Sequence, residues 1–317
     1  MTENYLTIVI PTRNRSKTLY DTIRTCLNQN YKNLQIIISD NNSVDNTRET
    51  VKSFADIRIK YFNTGKSLSM SENFDFGLSK VNNGYVMIIG DDDGVLPNSM
   101  AYVNELINKT NCEAIVSHNA YYSWPETPNP NKLNFSERSN YEIRESSKWF
   151  LKYLNFNMLY TFDLPGVYCG FVKVDVLKRL TKNGKYFNSS TPDAYSALAN
   201  CFIIRNYVYS YKSFVIHGAG PKSNGASYLS KGKNQEGDES KLFFEENTIT
   251  FHHKIKMTKS FRVCSLEALL KFLDHFPEYK SRVKINWKYF LIMVMSEANL
   301  NTKDEIEYAV IKMCLMH

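Results

Sequence analysis

Tyr85-Val86-Met87-Ile88-Ile89-Gly90-Asp91-Asp92-Asp93-Gly94 decides how this 317-residue chain is read. An uninterrupted apolar and aromatic run of this length is the pattern of a strand buried on both faces, as in a parallel sheet covered by helices. Three adjacent carboxylates follow at once. They repel one another, and folding alone gives little reason to gather them at a strand end. A divalent cation supplies the reason, because hard carboxylate oxygens suit Mg2+ or Mn2+, ions that also bind substrate phosphates. A solvated acidic turn is the alternative, and the position directly after a buried strand argues against it.

Upstream, apolar runs at residues 6–10, 34–39 and 57–62 alternate with amphipathic stretches at 16–28, 45–54 and 70–81. This alternation is the βαβ pattern, with right-handed crossovers. The expected class is α/β, a mostly parallel central sheet flanked by helices, with a helical C-terminal region. Ligands of such sheets bind beyond the carboxyl ends of the strands. Those ends carry Pro11-Thr12-Arg13-Asn14-Arg15, then Asp40-Asn41-Asn42-Ser43, then the carboxylate run.

Residues 123–147 turn polar, with Pro125, Pro128 and Pro130, and read as a long loop. Strands are expected at 166–173 and 207–216, around a helix at 192–200. Residues 217–240 hold five glycines and several lysines, the composition of a loop able to close over a ligand. Lys222, Ser223 and Asn224 would there supply a cation and polar groups to a diphosphate. Helices are expected at 263–276 and 304–316. The resulting division is a domain at 1–240, in halves at 1–120 and 121–240, and a helical extension at 241–317.

Composition narrows the class. Hydrophobic residues are 43% and charged residues 22%, ordinary for a globular chain. No signal-type or membrane-spanning run is present, which makes a cytoplasmic location the expectation. Six cysteines are scattered without a CxxC, so they read as reduced thiols. The formal charge of +7 suits phosphate-bearing molecules, nucleic acid or an anionic membrane face and does not choose among them. His252-His253 with Lys254, Lys256, Lys259 and Arg262 forms a basic patch, read either as a solvated face or as peripheral contact with the inner face of a membrane.

Residues 8–15 (IVIPTRNR), residues 38–47 (ISDNNSVDNT) and residues 85–97 together resemble the family 2 glycosyltransferases, over roughly residues 4–120. The resemblance implies an A-type nucleotide-diphosphosugar fold and a metal-dependent transfer from a nucleotide-sugar donor. By position, Pro11, Thr12 and Arg13 would touch the nucleotide, Asp40 its base and Asp91 the ribose. Asp92 would ligate Mn2+ or Mg2+, with Asp93 beside it. Many members carry a carboxylate where Gly90 stands, so the division of labour among the three aspartates departs from the usual pattern.

Inverting transfer needs a carboxylate within hydrogen-bond reach of the acceptor hydroxyl. Asp193 follows Pro192 where the family has an acidic dipeptide before a helix, and is the candidate base; an ordinary helix cap is the alternative. His217 ends an apolar run and opens the glycine-rich stretch, where the family often has a metal-binding histidine. The expected reaction is inverting transfer from a UDP-sugar or similar donor to a glycan or lipid-linked acceptor, with no nucleic-acid partner. A degenerate sugar-nucleotide-binding domain and a nucleotidyltransferase are the competing classes; neither the glycine-rich basic loop of the latter nor a GxGxxG follows the first strand. Oligomeric state is not legible.

Overall fold

The computed structural model describes residues 2–127, 129–158, 160–220, 247–258, 260–298 and 303–314. Its first part follows the apolar pattern. Strand β1 (Leu6–Thr12), helix α1 (Ser16–Leu27), β2 (Leu34–Asp40), α2 (Thr47–Lys52), β3 (Ile59–Asn63), α3 (Met70–Leu78) and β4 (Tyr85–Ile88) succeed one another as βαβ units. A short strand β5 (Gly94–Val95), helix α4 (Ser99–Thr110) and strand β6 (Ala114–Ser117) come next. The apolar faces of β1, β2 and β4 are fully covered; Ile8, Ile10, Ile36, Ile38, Met87 and Ile89 are each 0% exposed.

The later elements are β7 (Ala120–Ser123), β8 (Leu133–Asn134), β9 (Glu137–Glu145), α5 (Ser146–Leu154), β10 (Phe171–Lys173), α6 (Val174–Arg179) and α7 (Pro192–Asn200). They lead to β11 (Asn206–Lys212) and β12 (Val215–Ala219), and then to α8 (Phe261–His275), a 3-10 turn, α9 (Trp287–Met295) and α10 (Lys303–Cys314). The main sheet runs β3-β2-β1-β4-β10-β6-β11-β9, and β5-β12-β7-β8 make a second, smaller sheet. All main strands except β10 and β9 share a direction, so the sheet is mixed but mostly parallel. Among the described residues no helix is long and apolar enough to cross a membrane.

The structure corrects the 123–147 reading, because β8 and β9 lie within that polar stretch. Strand β9 is the edge of the main sheet, and most of its residues are exposed on both faces, so it carries no apolar alternation. Arg144 anchors it, with its guanidinium 3.4 Å from the ring centres of both Trp149 and Tyr209. The expected 207–216 strand is likewise two strands in two sheets, broken at Ser213-Phe214. Of the expected 166–173 strand only Phe171–Lys173 is regular.

Helices α3, α7 and α8 share one core, in which Phe74, Phe187, Tyr195, Leu269 and Phe272 interlock. Asp75 on α3 enters this region and accepts from the amides of Tyr186 at 2.9 Å and Phe187 at 3.2 Å. Burial pushes its carboxyl up to about 7. An unfolded aspartate loses its proton near about 4, so between those values the folded chain holds a proton the unfolded chain has released, and stability falls as pH rises through that window. Asp75→Asn keeps an acceptor for the two amides and removes the titration. Urea midpoints at about pH 5 and pH 8 should fall by the equivalent of about 2 kcal/mol in the parent relative to Asp75→Asn; an equal fall in both would contradict this account.

Candidate active site

The carboxyl ends of β1, β2 and β4 meet on one side of the sheet, and their loops are tied together. Asp91 is 4% exposed, and its Oδ2 accepts from the Thr12 hydroxyl at 2.7 Å. Its Oδ1 accepts from the Arg15 guanidinium at 3.1 Å. Burial pushes the Asp91 carboxyl up, and the Arg15 charge and the Thr12 hydroxyl pull it back toward the ionised form. Arg15 lies within the quoted 11–15 run, but nothing in sequence pairs it with a residue 76 positions away.

The second loop locks onto the first. Asn14, at φ +53°, accepts the Val44 amide through its side chain at 2.8 Å, and its own amide donates to Ser43 Oγ at 2.9 Å. Asp45 accepts the Ser16 amide at 3.0 Å, so a carboxylate from the β2 loop sits at the N-terminus of α1, which has no side-chain cap of its own. Asp40 is 1% exposed. It accepts from the Ser43 amide at 2.9 Å, from Asn63 at 3.1 Å and from the Tyr61 hydroxyl. It therefore orders the β2–β3 strand ends rather than capping α2. A carboxylate offers about four acceptor positions, which leaves one for a ligand N–H.

Asp92 and Asp93 converge over Gly90. A Cβ added there would lie 2.9 Å from Asp92 Oδ1 and 3.1 Å from Asp93 Oδ2. The two following carboxylates thus fill the space that a side chain at position 90 would need. Asp93 is 6% exposed and braced, with Oδ2 accepting from the Gly90 amide and the Tyr168 hydroxyl, both at 2.7 Å, and Oδ1 from the Gly218 amide at 2.8 Å. Asp92 is partly exposed, and its main-chain carbonyl accepts from Trp124 Nε1 at 3.0 Å. Strand β12 lies so close that a Cβ on Gly218 would stand 1.7 Å from that carbonyl oxygen.

His217 on β12 comes to the same place. It is 9% exposed, ringed by Phe162, Tyr121 and Tyr168 at centroid distances of 5.1, 5.6 and 6.1 Å, and its Nε2 has no protein partner. Burial pushes its imidazole down, toward the neutral form with a free lone pair, against the opposing pull of Asp93 and Asp193. Asp193, in the first turn of α7, accepts from the Tyr160 hydroxyl at 2.6 Å. Burial pushes its carboxyl up, while Tyr160, nearby amides and the His217 charge pull it down.

The structure thus brings Thr12, Asp91, Asp92, Asp93, His217 and Asp193 to one region. Pro11 and Thr12 end β1, and Arg13 begins the loop after it. Lys222 and Asn224, with the rest of 221–246, lie outside the described residues. Tyr160, Tyr168 and Cys169 had no signal in sequence; only their place beside the carboxylates marks them. The Asp93–Cys169–His217 group has its ligand atoms within 4.8 Å of one another. With an orphaned buried imidazole nitrogen and two adjacent carboxylates, the residues fit a divalent cation.

The brace around Asp93 predicts an asymmetry. Asp93→Ala strands two amides and a hydroxyl and should cost about 3 kcal/mol or more; Asp92→Ala should cost clearly less. Urea unfolding of the two variants side by side measures this, and equal losses would show that Asp93 is no brace.

Comparison with known proteins places these features in a family. A family model described as "Glycosyl transferase family 2" matches residues 7–180, which is 174 of the 317 residues and reaches well past the 4–120 stretch that carries the resemblance. A Campylobacter jejuni protein named GalNAc(5)-diNAcBac-PP-undecaprenol beta-1,3-glucosyltransferase is 34% identical over 107 residues, 33% of this chain and 35% of that protein. An Escherichia coli protein, UDP-Glc:alpha-D-GlcNAc-diphosphoundecaprenol beta-1,3-glucosyltransferase WfgD, is 25% identical over 111 residues, 35% of this chain and 44% of that protein. The matches thus span well under half the length of these relatives. The crystal structure of S. aureus TarS residues 1–349 with UDP-GlcNAc superposes with a TM-score of 0.55 at 12% identity, covering 98% of this chain and 88% of that one, a likeness of fold alone. The sheet order, the carboxylates at the end of β4 and a family match over more than half of its length agree: this protein belongs to glycosyl transferase family 2.

Proposed function

We propose that the protein is an inverting glycosyltransferase that moves a sugar from a nucleotide-diphosphate donor, a UDP-sugar, to a hydroxyl of a glycan or lipid-linked acceptor in surface polysaccharide synthesis. The observation that supports this reading best is Asp193, a carboxylate held by Tyr160 on the same side as His217 and the Asp91–Asp93 run. The reading divides the catalytic domain into a nucleotide-sugar half at 1–120 and an acceptor half at 121–240, with His217, Lys222 and Asn224 of the second half reaching back to the metal and the diphosphate. The named relatives act, by their names, on undecaprenol-linked sugars, which favours a lipid-linked acceptor and work at the inner face of a membrane.

In this reading Pro11, Thr12, Arg13 and Asp40 hold the nucleotide and Asp91 the ribose, while Lys222 and Asn224 bind the donor. Asp92, Asp93 and His217 hold Mn2+ or Mg2+, which when bound neutralises charge on the departing diphosphate. Asp193 takes the proton from the acceptor hydroxyl as that oxygen attacks the anomeric carbon from the face opposite the leaving group. Tyr160 and the amides at the start of α7 hold the Asp193 carboxylate in place for this role.

Asp193→Asn should leave UDP affinity within about two-fold of the parent and lower transfer by roughly 10²–10⁴. The acid limb of the transfer profile should lie above the ordinary aspartate range, since Asp193 works ionised and burial raises its pKa. Tyr160→Phe removes a hydrogen bond to the ionised form and should move that limb further up. Radiolabelled UDP-sugars screened against lipid-linked acceptors supply the assay; substantial transfer by Asp193→Asn would assign the base to another residue.

A further inference from the structure

Cys169 occupies a position that packing alone does not require. Its φ of +57° lies in the left-handed region, which a side chain with a Cβ enters at a cost and which, outside glycine, gathers at functional sites. The conformation is imposed by pairing at the end of β4. The Ile88 amide donates to the Val167 carbonyl, and the Cys169 amide returns to the Ile88 carbonyl, each at 2.8 Å. This hook delivers the thiol to the carboxylate side of the sheet. Cys169 Sγ lies 3.8 Å from Asp93 Oδ2 and 3.8 Å from His217 Nδ1. The second ring nitrogen of that same buried histidine has no protein partner.

We propose that Cys169 Sγ is a further protein donor, beside Asp92, Asp93 and His217, to the cation of this site, and that it makes the site favour Zn2+, Co2+ or Mn2+ over Mg2+. Bonds of about 2.0–2.3 Å from nitrogen, oxygen and sulfur at tetrahedral angles separate ligand atoms by about 3.5 Å, and the candidate ligand atoms here lie within 4.8 Å of one another, so an ion would draw them closer together. Sulfur is a soft ligand that hard Mg2+ avoids, whereas borderline transition ions accept it. On coordination the thiol proton passes to solvent and the thiolate binds directly. On Asp93 the open acceptor position is on Oδ1, which accepts from Gly218 alone, since Oδ2 accepts from Gly90 and Tyr168.

The proposal rests on the metal reading of Asp93 and His217, and Co2+ distinguishes failure of one from failure of the other. Titration of the 317-residue chain, carrying Cys314→Ser to remove the exposed cysteine, should produce visible d–d bands together with a near-ultraviolet sulfur-to-cobalt charge-transfer band. Cys169→Ser should abolish the charge-transfer band, keep d–d bands and weaken Co2+ by about ten-fold or more. Cys169→Gly suits the positive φ, should fold and should behave alike. Zn2+ should displace Co2+, and a hundred-fold excess of Mg2+ should not. Visible bands without charge transfer in the parent, or a charge-transfer band that survives in Cys169→Gly, would overturn the role of Cys169 and leave the other ligands standing. No spectral change on adding Co2+ would overturn the metal site as a whole.

Discussion

The buried contact among Thr12, Asp91 and Arg15 is the constraint on which the rest of the site depends. Strands β1 and β4 are neighbours in the sheet, but their register alone does not say where the loops beyond them go. Asp91 joins them, one oxygen on the hydroxyl that ends β1 and the other on the guanidinium just before α1. A charge this buried is costly unless it is paired and hydrogen-bonded, and loss of one partner leaves the other stranded. Once that tie is made, Asn14 and Ser16 are placed to bind the β2 loop through Val44 and Asp45. Three strand ends thereby become one rigid rim, the preorganisation a donor site needs.

Beyond the rim the two outer aspartates divide. Asp93 turns inward and is enclosed by main-chain amides and Tyr168, so it fixes β12 and hence His217 against the end of β4. Asp92 stays partly open, with its carboxylate side by side with that of Asp93 over Gly90. Consecutive residues along an irregular turn do not alternate as a strand does, so both side chains can lean to one side. The absent side chain at Gly90 is what gives them the room.

Much of the first half was legible because its strands are buried on both faces and their apolar runs have no competing pattern. The starts of β1, β2, β4 and α3 fall at the residues where the apolar runs or amphipathic stretches begin, and α7 spans the expected 192–200. The proline at the first position of α7 and the apolar spacing after it made that helix readable. Strand β9 was not, because an exposed edge needs no apolar face and is held by its ladder to β11 and by Arg144 between two rings. The candidate ligands and base could be named one by one, but their neighbours could not. Arg15, Tyr160, Tyr168 and Cys169 act through partners between 33 and 76 positions away, pairings that only the crossing of strands creates.

The central claim is that the rim formed by β1, β2 and β4 holds a nucleoside diphosphate through a cation bound by the carboxylates and His217. Isothermal titration of UDP into the protein, with Mn2+ and then with chelator, tests it most directly. The account predicts saturable binding in Mn2+ that weakens at least about ten-fold in chelator, a coupling of about 1.4 kcal/mol or more. UDP binding of equal strength in both conditions would contradict it.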